Sequence, residues 1–105
     1  MASKAKLPSG SLDLIRAAQD VGTEEMDVPE WGVSVTVRGL TRGEARQLGD
    51  DPLEAEVKAL SLALVDPVVS DDEAREILSG KAFSPTERVL SKILELSGLG
   101  ASFRP

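Results

Sequence analysis

The strongest structural signal in the chain is the segment EEMDVPEWGVSVTVR, residues 24–38. Apolar and polar residues alternate on both sides of its centre, and a period of two is typical of strands that bury one face. The second alternating run carries three valines, Val33, Val35 and Val37. Between the runs, Pro29 restrains φ and Gly32 permits a positive φ, as a short turn between antiparallel strands requires. The segment therefore predicts a β-hairpin, and because two strands alone are marginally stable, one face has to rest on helices or on a partner.

Helix-start signals dominate the chain after the hairpin. Each consists of a polar residue that can cap a helix, followed three positions later by Glu. The four signals are Thr41-Arg42-Gly43-Glu44, Asp51-Pro52-Leu53-Glu54, Ser70-Asp71-Asp72-Glu73 and Ser84-Pro85-Thr86-Glu87. We expect helices at about 43–48, 51–65, 70–79 and 85–97, and a short amphipathic helix capped by Ser11 ahead of the hairpin.

These patterns predict a mainly α protein with a small β-hairpin, a single-domain helical bundle of about four to five helices preceded by one antiparallel hairpin. A chain of 105 residues has room for one core. We expect one globular domain over residues 11–98, with the hairpin at about 24–38 and the helices at about 41–97. Residues 1–10 are rich in Ser, Lys, Pro and Gly and are predicted to form a flexible N-terminus, and residues 99–105 a flexible tail.

The composition argues against catalysis. The chain has no histidine and no cysteine, the residue types that most often serve as general base and as thiolate ligand. Acidic pairs and triplets stand at predicted helix N-termini, where the helix dipole and the free backbone N–H groups account for them without a metal. We therefore expect a protein that is not an enzyme, with no catalytic residue, no cofactor and no metal site.

Net charge and hydropathy also limit the classes of partner that we expect for this chain. A net charge of −6 argues against nucleic acid as a partner, because phosphate neutralisation needs clustered Lys and Arg. The longest apolar run, residues 60–65, is far shorter than the roughly 20 residues of a membrane span. A protein surface is the expected partner.

Two apolar features carry two interpretations each. The only tryptophan, Trp31, is either an anchor for a partner or a cover for the helix-facing side of the hairpin, and covering is the favoured interpretation. The stripe on the last helix is either core, which is favoured, or a partner surface. The strand of alternating valines, taken as an exposed edge, predicts self-association through the hairpin. The candidate protein-binding residues are Trp31, Val33, Val35, Val37, Leu40, Val89, Ile93 and Leu96.

The order of the motifs resembles the tail assembly chaperones of long-tailed, siphovirus-type bacteriophages, especially those of actinobacterial hosts. Three motifs carry the resemblance, which covers about residues 24–99. They are the turn Pro29-Glu30-Trp31-Gly32, the strand end Val37-Arg38-Gly39-Leu40-Thr41, and the final helix running into Leu96-Ser97-Gly98.

The resemblance implies a protein that binds the hydrophobic tape measure protein, keeps it soluble and helps to recruit tail tube (major tail) subunits. It implies action in the host cell cytoplasm and absence from the mature virion. It also implies that a longer form arises by ribosomal frameshifting near the end of the reading frame. Because the chain has no long acidic or coiled extension, we expect it to be the short, non-frameshifted form.

Two alternatives stay open. A head–tail connector or another structural tail subunit would form rings and would have a larger β content. A small acidic adaptor protein would inhibit a basic partner by charge complementarity.

Overall fold

The computed structural model describes residues 7–99, and it is mainly helical. Helices and one 3-10 turn hold 54% of the described residues and strands hold 16%, which confirms the predicted class. The elements are α1 (Leu12–Ala17), β1 (Thr23–Val28), a 3-10 turn (Pro29–Trp31), β2 (Val33–Arg38), α2 (Arg42–Arg46), α3 (Pro52–Ala63), β3 (Leu64–Asp66), α4 (Asp71–Gly80) and α5 (Phe83–Leu96). Of the segments predicted to be flexible, residues 1–6 and 100–105 lie outside the described part of the chain.

The predicted hairpin is present. Strands β1 and β2 pair antiparallel in a register that runs from Thr23 opposite Arg38 to Val28 opposite Val33. Gly32 closes the turn with a φ of 70°, a left-handed conformation that side chains other than glycine seldom adopt. The two alternating runs therefore form one two-stranded unit, as their period indicates.

A third strand, β3, pairs antiparallel with β2 and was not predicted from the sequence. The helix expected through about Val65 ends at Ala63. Pro67 disfavours helical geometry at the residue before it, and the free backbone of β2 offers partners to the extended segment that results. The expectation that β2 is an exposed edge is therefore wrong at Thr36 and Val37, where β3 pairs with it, but this pairing does not extend to Val33 and Val35. The predicted self-association through the hairpin stays a prediction.

Three of the four predicted caps are formed. Thr41 and Ser70 each make a full capping box, and the Asp51 carboxylate accepts hydrogen bonds from two backbone N–H groups at the start of α3. The fourth prediction is wrong, because α5 begins at Phe83 and Ser84 lies inside its first turn. Pro85 takes the third helical position there, and since proline has no N–H, the donor that a cap usually satisfies is absent.

The core lies between one face of the sheet and the helices α3, α4 and α5. Strand alternation sends every other residue of β1 and β2 toward the helices, and the other face is polar. The most deeply buried large side chains are Val28, Val37, Val57, Pro85, Val89 and Ile93. Each layer alone leaves an apolar face uncovered, so packing of the two layers is what stabilises the fold.

The exit of the hairpin is held against the end of α5. The Leu40 N–H donates to Ser97 Oγ at 2.7 Å, and Ser97 Oγ–H donates to the Ile93 carbonyl at 2.6 Å. A Cβ on Gly39 would lie 2.5 Å from the Leu96 carbonyl oxygen, so only glycine fits at this contact. Gly98, with a φ of 79°, ends the helix beside it.

An ion pair joins β2 to α2. Arg38 makes two parallel hydrogen bonds of 2.8 Å to the Glu44 carboxylate, and both side chains are less than one third exposed. Glu44 also accepts the Thr41 N–H as part of the capping box. The Arg38 hydrogen bonds, followed by the backbone bond from Thr41, lower the pKa of Glu44 to about 2.

The segment before the sheet differs from the rest of the chain in its exposure. Residues 7–20 are exposed throughout, and α1 buries none of its residues. The predicted cap is formed, because the Leu14 N–H donates to Ser11 Oγ. Helix α1 therefore forms without burying its apolar side chains against the rest of residues 7–99.

We predict that Gly39→Ala destabilises the protein by roughly 1–3 kcal/mol, since the added methyl group overlaps the α5 backbone and forces it to shift. Chemical denaturation measures the change in the free energy of unfolding. Gly43→Ala is the matched control, because Gly43 lies in α2 with no atom within 4 Å of a new Cβ. The control should be neutral or stabilise by up to about 1 kcal/mol. Equal effects of the two changes would show that the Gly39 contact is not tight.

We predict that Glu44→Gln lowers stability at neutral pH by roughly 1–3 kcal/mol and flattens its acid dependence. The folded pKa of Glu44 is about 2 against 4.5 for the free side chain, so its contribution is complete above about pH 4.5 and is lost as pH falls toward 2. Unfolding curves of both proteins from pH 7 to about pH 2 should therefore converge in acid.

Glu73→Gln is the control for the ion pair. Glu73 holds the same capping-box position on α4 and makes no salt bridge with a described residue. Its replacement should cost less at neutral pH. A constant gap between the wild type and Glu44→Gln across the whole pH range would refute the assigned role of the Arg38–Glu44 pair.

Candidate protein-binding surface

The three valines of β2 share one face but differ in exposure. Val37 and Val35 are 0% and 4% exposed, whereas Val33 is 54% exposed. The helices cover the inner part of the sheet and do not reach the residue next to the turn. An apolar surface therefore opens at the hairpin tip.

This surface is a pocket of about 400 Å³, here called the hairpin pocket. Its wall comes from the turn, from β2, from the segment around β3 and from α4. The lining residues are Glu30, Trp31, Val33, Val35, Leu64, Pro67, Ile77 and Lys81. Apolar side chains form most of this wall, and Glu30 and Lys81 contribute one charge of each sign, as is usual in pockets that bind organic groups.

Trp31 covers part of the core and also remains accessible at the pocket, and its role as an anchor for a partner stays a prediction. Its ring is half-buried, packs against the core and also lines the hairpin pocket. The turn that carries it is tied to α5, because Arg88 donates a 2.9 Å hydrogen bond to the Glu30 carboxylate. Hydrogen bonding from Arg88 is the main cause that lowers the pKa of Glu30 to about 2. The ion pair thus holds the hairpin tip beside the helices.

A second pocket of about 410 Å³, here called the helix pocket, lies at the other end of the domain. Its lining residues are Leu40, Thr41, Arg42, Ala45, Arg46, Leu48, Leu94, Ser97 and Leu99. Leu48 and Leu94 also line a smaller pocket between α3 and α5, so the two pockets share these wall residues. Leu99, predicted as the start of a flexible tail, is half-buried here, and its N–H donates to the Leu94 carbonyl.

The cations around these pockets are unlike the other cations of the described segment. Every other Arg or Lys between residues 7 and 99 makes a salt bridge with an acidic side chain. Within that segment the ones left without such a partner are Arg42, Arg46 and Lys81, and all three line a pocket. A chain with a net charge of −6 thus keeps free cations where apolar surface is accessible.

The structure separates the eight candidate residues into two groups. Five lie in the core, where the chain's own side chains cover them: Val35, Val37, Leu40, Val89 and Ile93. Val33 is exposed, and Trp31 and Leu96 are half-buried. Contact of these residues with a partner stays a prediction, and only Val33 and Trp31 combine accessibility with a place in the hairpin pocket.

Sequence analysis missed the residues that complete the pockets. Pro67, Ile77 and Lys81 come from segments far along the chain from the hairpin, whereas Arg42 begins α2 and Leu48 follows its end. No local pattern identifies such residues, because each pocket exists only where separate elements meet.

The acidic clusters act in local structure. Asp51 caps α3, Glu73 completes a capping box, and Asp71 pairs with Lys58 at 2.9 Å. Hydrogen bonds from Ser61 and then Lys58 lower the pKa of Asp71. Among the described residues, no group of three or more acidic side chains could hold a metal ion. None of the helices in residues 7–99 has the length and apolar character that a bilayer crossing requires.

Comparison with known proteins adds no relative. No protein-family model matches the chain, and neither the curated proteins nor the solved structures contain a match to it.

Proposed function

We propose that this chain is a tail assembly chaperone of a long-tailed bacteriophage and that it binds the tape measure protein through the hairpin pocket. The observation that carries the proposal is the open apolar pocket beside Trp31 and Val33. In this proposal the chain keeps the tape measure protein soluble in the host cytoplasm, helps to recruit tail tube subunits and leaves before the virion is complete.

The size and chemistry of the hairpin pocket suit a helical client. A pocket of about 400 Å³ takes one or two large apolar side chains, and a client helix presents such anchors at spacings of three and four residues. Lys81 in its lining offers a cation to acidic residues that flank the anchors, whereas the Glu30 carboxylate is held by Arg88. Trp31 gives the wall a large rigid surface of the kind that is enriched among binding hot spots.

The turn that carries the family resemblance also shapes the pocket. Residues 29–32 include Glu30 and Trp31, which both line it, and Val33 follows directly. A tape measure protein is long, helical and prone to associate, and an acidic chaperone remains soluble beside it. The motif and the surface thus support one role.

The alternatives fit the fold less well. A connector or other structural tail subunit predicts more β structure than three short strands in the described part of the chain. An acidic adaptor predicts a basic partner, whereas the two pockets are lined by Arg42, Arg46 and Lys81, which form no salt bridge with another of residues 7–99. Neither hypothesis uses the apolar surface at the hairpin tip.

We predict that this chain, co-expressed with the tape measure protein of the same phage, raises the soluble amount of that protein and copurifies with it. Val33→Asp should abolish both effects, because it places a carboxylate in the apolar wall of the pocket. Soluble yield and the composition of the purified complex are the measurements. Since Val33 is 54% exposed, the variant should fold, which circular dichroism checks.

Val65→Ser is the matched control, because Val65 is 42% exposed and does not line the hairpin pocket. It should bind as the wild type does. The single tryptophan gives a second readout, since a tryptophan-free peptide from the tape measure protein should shift the emission of Trp31. A folded chain that neither copurifies with the tape measure protein nor raises its solubility would refute the proposal.

A further inference from the structure

The two charged residues that line the hairpin pocket differ in how their charges are compensated. The Glu30 carboxylate accepts hydrogen bonds from both terminal nitrogens of the Arg88 guanidinium group, one of them at 2.9 Å. The Lys81 amine, in contrast, forms no salt bridge with another of residues 7–99. The pocket is therefore lined by an anion that is compensated and a cation that is not.

Arg88 compensates a pocket that it does not line. It reaches Glu30 from α5, 58 positions further along the chain, and contributes nothing to the pocket wall. The hydrogen bonding from Arg88 lowers the pKa of Glu30 to about 2, so the carboxylate is ionised at neutral pH and is held by the guanidinium group. Two parallel hydrogen bonds of this kind are the strongest arrangement of an arginine and a carboxylate. A client that enters the pocket thus meets Glu30 with its charge already neutralised.

Two other carboxylates stand beside lining residues in the chain, and neither of them lines the pocket. Asp66 is the cross-strand partner of Thr36, and such partners share one face of a sheet. Thr36 alternates with the buried Val35, which lines the pocket, so Asp66 lies on the other face. Glu76 is exposed and precedes Ile77 by one position, which is about 100° around a helix. Neither carboxylate therefore cancels the cation of the pocket.

An uncompensated amine beside an apolar wall distinguishes between client segments. In a client helix, residues three or four positions from the apolar anchor lie on the same face as the anchor. A carboxylate at that spacing is attracted by the exposed Lys81 amine, whereas a lysine or arginine there is repelled. The apolar anchor supplies the affinity, and the neighbouring charge supplies the preference.

We propose that the hairpin pocket selects client segments in which Asp or Glu stands three or four residues from the apolar anchor, and that Arg88 maintains this preference by holding the Glu30 carboxylate. Lys81 attracts the client carboxylate, and Arg88 prevents Glu30 from repelling it. The inference rests on the proposed function, because it concerns the client of the same pocket. Arg88 then determines specificity without touching the client.

Peptides without tryptophan that tile the tape measure protein of the same phage test the proposal. Each is titrated into the full chain, and the emission of Trp31 measures binding. The peptide that binds most tightly should carry an acidic residue at the stated spacing from an apolar anchor. Replacing that residue with Lys should weaken binding by roughly fivefold, and added salt should reduce the difference between the two peptides.

Variants of the chain assign the preference to the named charges. Lys81→Gln should abolish the difference between the Glu and the Lys peptide, because the pocket then has no net charge. Arg88→Gln should abolish it as well, since the released Glu30 carboxylate opposes Lys81. The two changes together should reverse the preference, because Glu30 is then the only charge left in the lining.

Glu30→Gln separates the effect on charge from an effect on the position of the turn. It breaks the same ion pair as Arg88→Gln but leaves no carboxylate, so it should keep the preference for the Glu peptide. Arg75→Gln is the matched control, because Arg75 also pairs with a carboxylate, Glu54, and lines no part of the hairpin pocket. It should bind both peptides as the wild type does, and circular dichroism checks that every variant is folded.

Three results would overturn the inference. A wild type that binds the Glu and the Lys peptide equally would refute the preference and leave the proposed function standing, because binding itself is retained. Loss of the preference in Glu30→Gln would show that the ion pair acts by holding the turn and not through its charge. Absence of binding by any peptide, together with absence of copurification, would refute both this inference and the proposed function.

Discussion

The hydrogen bond from the Leu40 N–H to Ser97 Oγ joins the exit of the hairpin to the end of the last helix. Gly39 allows the two backbones to approach until a Cβ would overlap the Leu96 carbonyl. From this junction the sheet extends along α5 with its valine face inward, and the Arg38–Glu44 pair joins β2 to α2. The helix pocket lies directly beside it, so the contact that closes the core also shapes an accessible surface.

The two pockets lie near opposite ends of β2, and they form for different structural reasons. The hairpin pocket opens where the sheet is longer than the helix layer that covers it, which leaves Val33 exposed while Val37 is buried. The helix pocket opens where helices meet without filling the space between their side chains. The two pockets have no lining residue in common.

The net charge of this chain does not indicate the sign of the charges that border its pockets. The total of −6 indicates a basic partner, yet most cations of the described segment are held in salt bridges with the excess of carboxylates. The cations left over, Arg42, Arg46 and Lys81, border apolar surface. The charge beside the helix pocket is therefore positive, although the whole molecule is acidic.

The sequence alone determined the hairpin and three helix starts, because their causes act between residues that are close in the chain. These causes are the alternation of apolar and polar residues, Gly32 in the turn, and the caps at Thr41, Asp51 and Ser70. The Ser84 cap did not form because α5 begins one residue earlier, at Phe83, and Ser84 lies inside its first turn. Tertiary structure alone decided that residues 64–66 form a strand, because that choice depends on the free backbone of β2. It also decided the candidate site, since Trp31 and Lys81 are 50 positions apart and meet only when the layers pack.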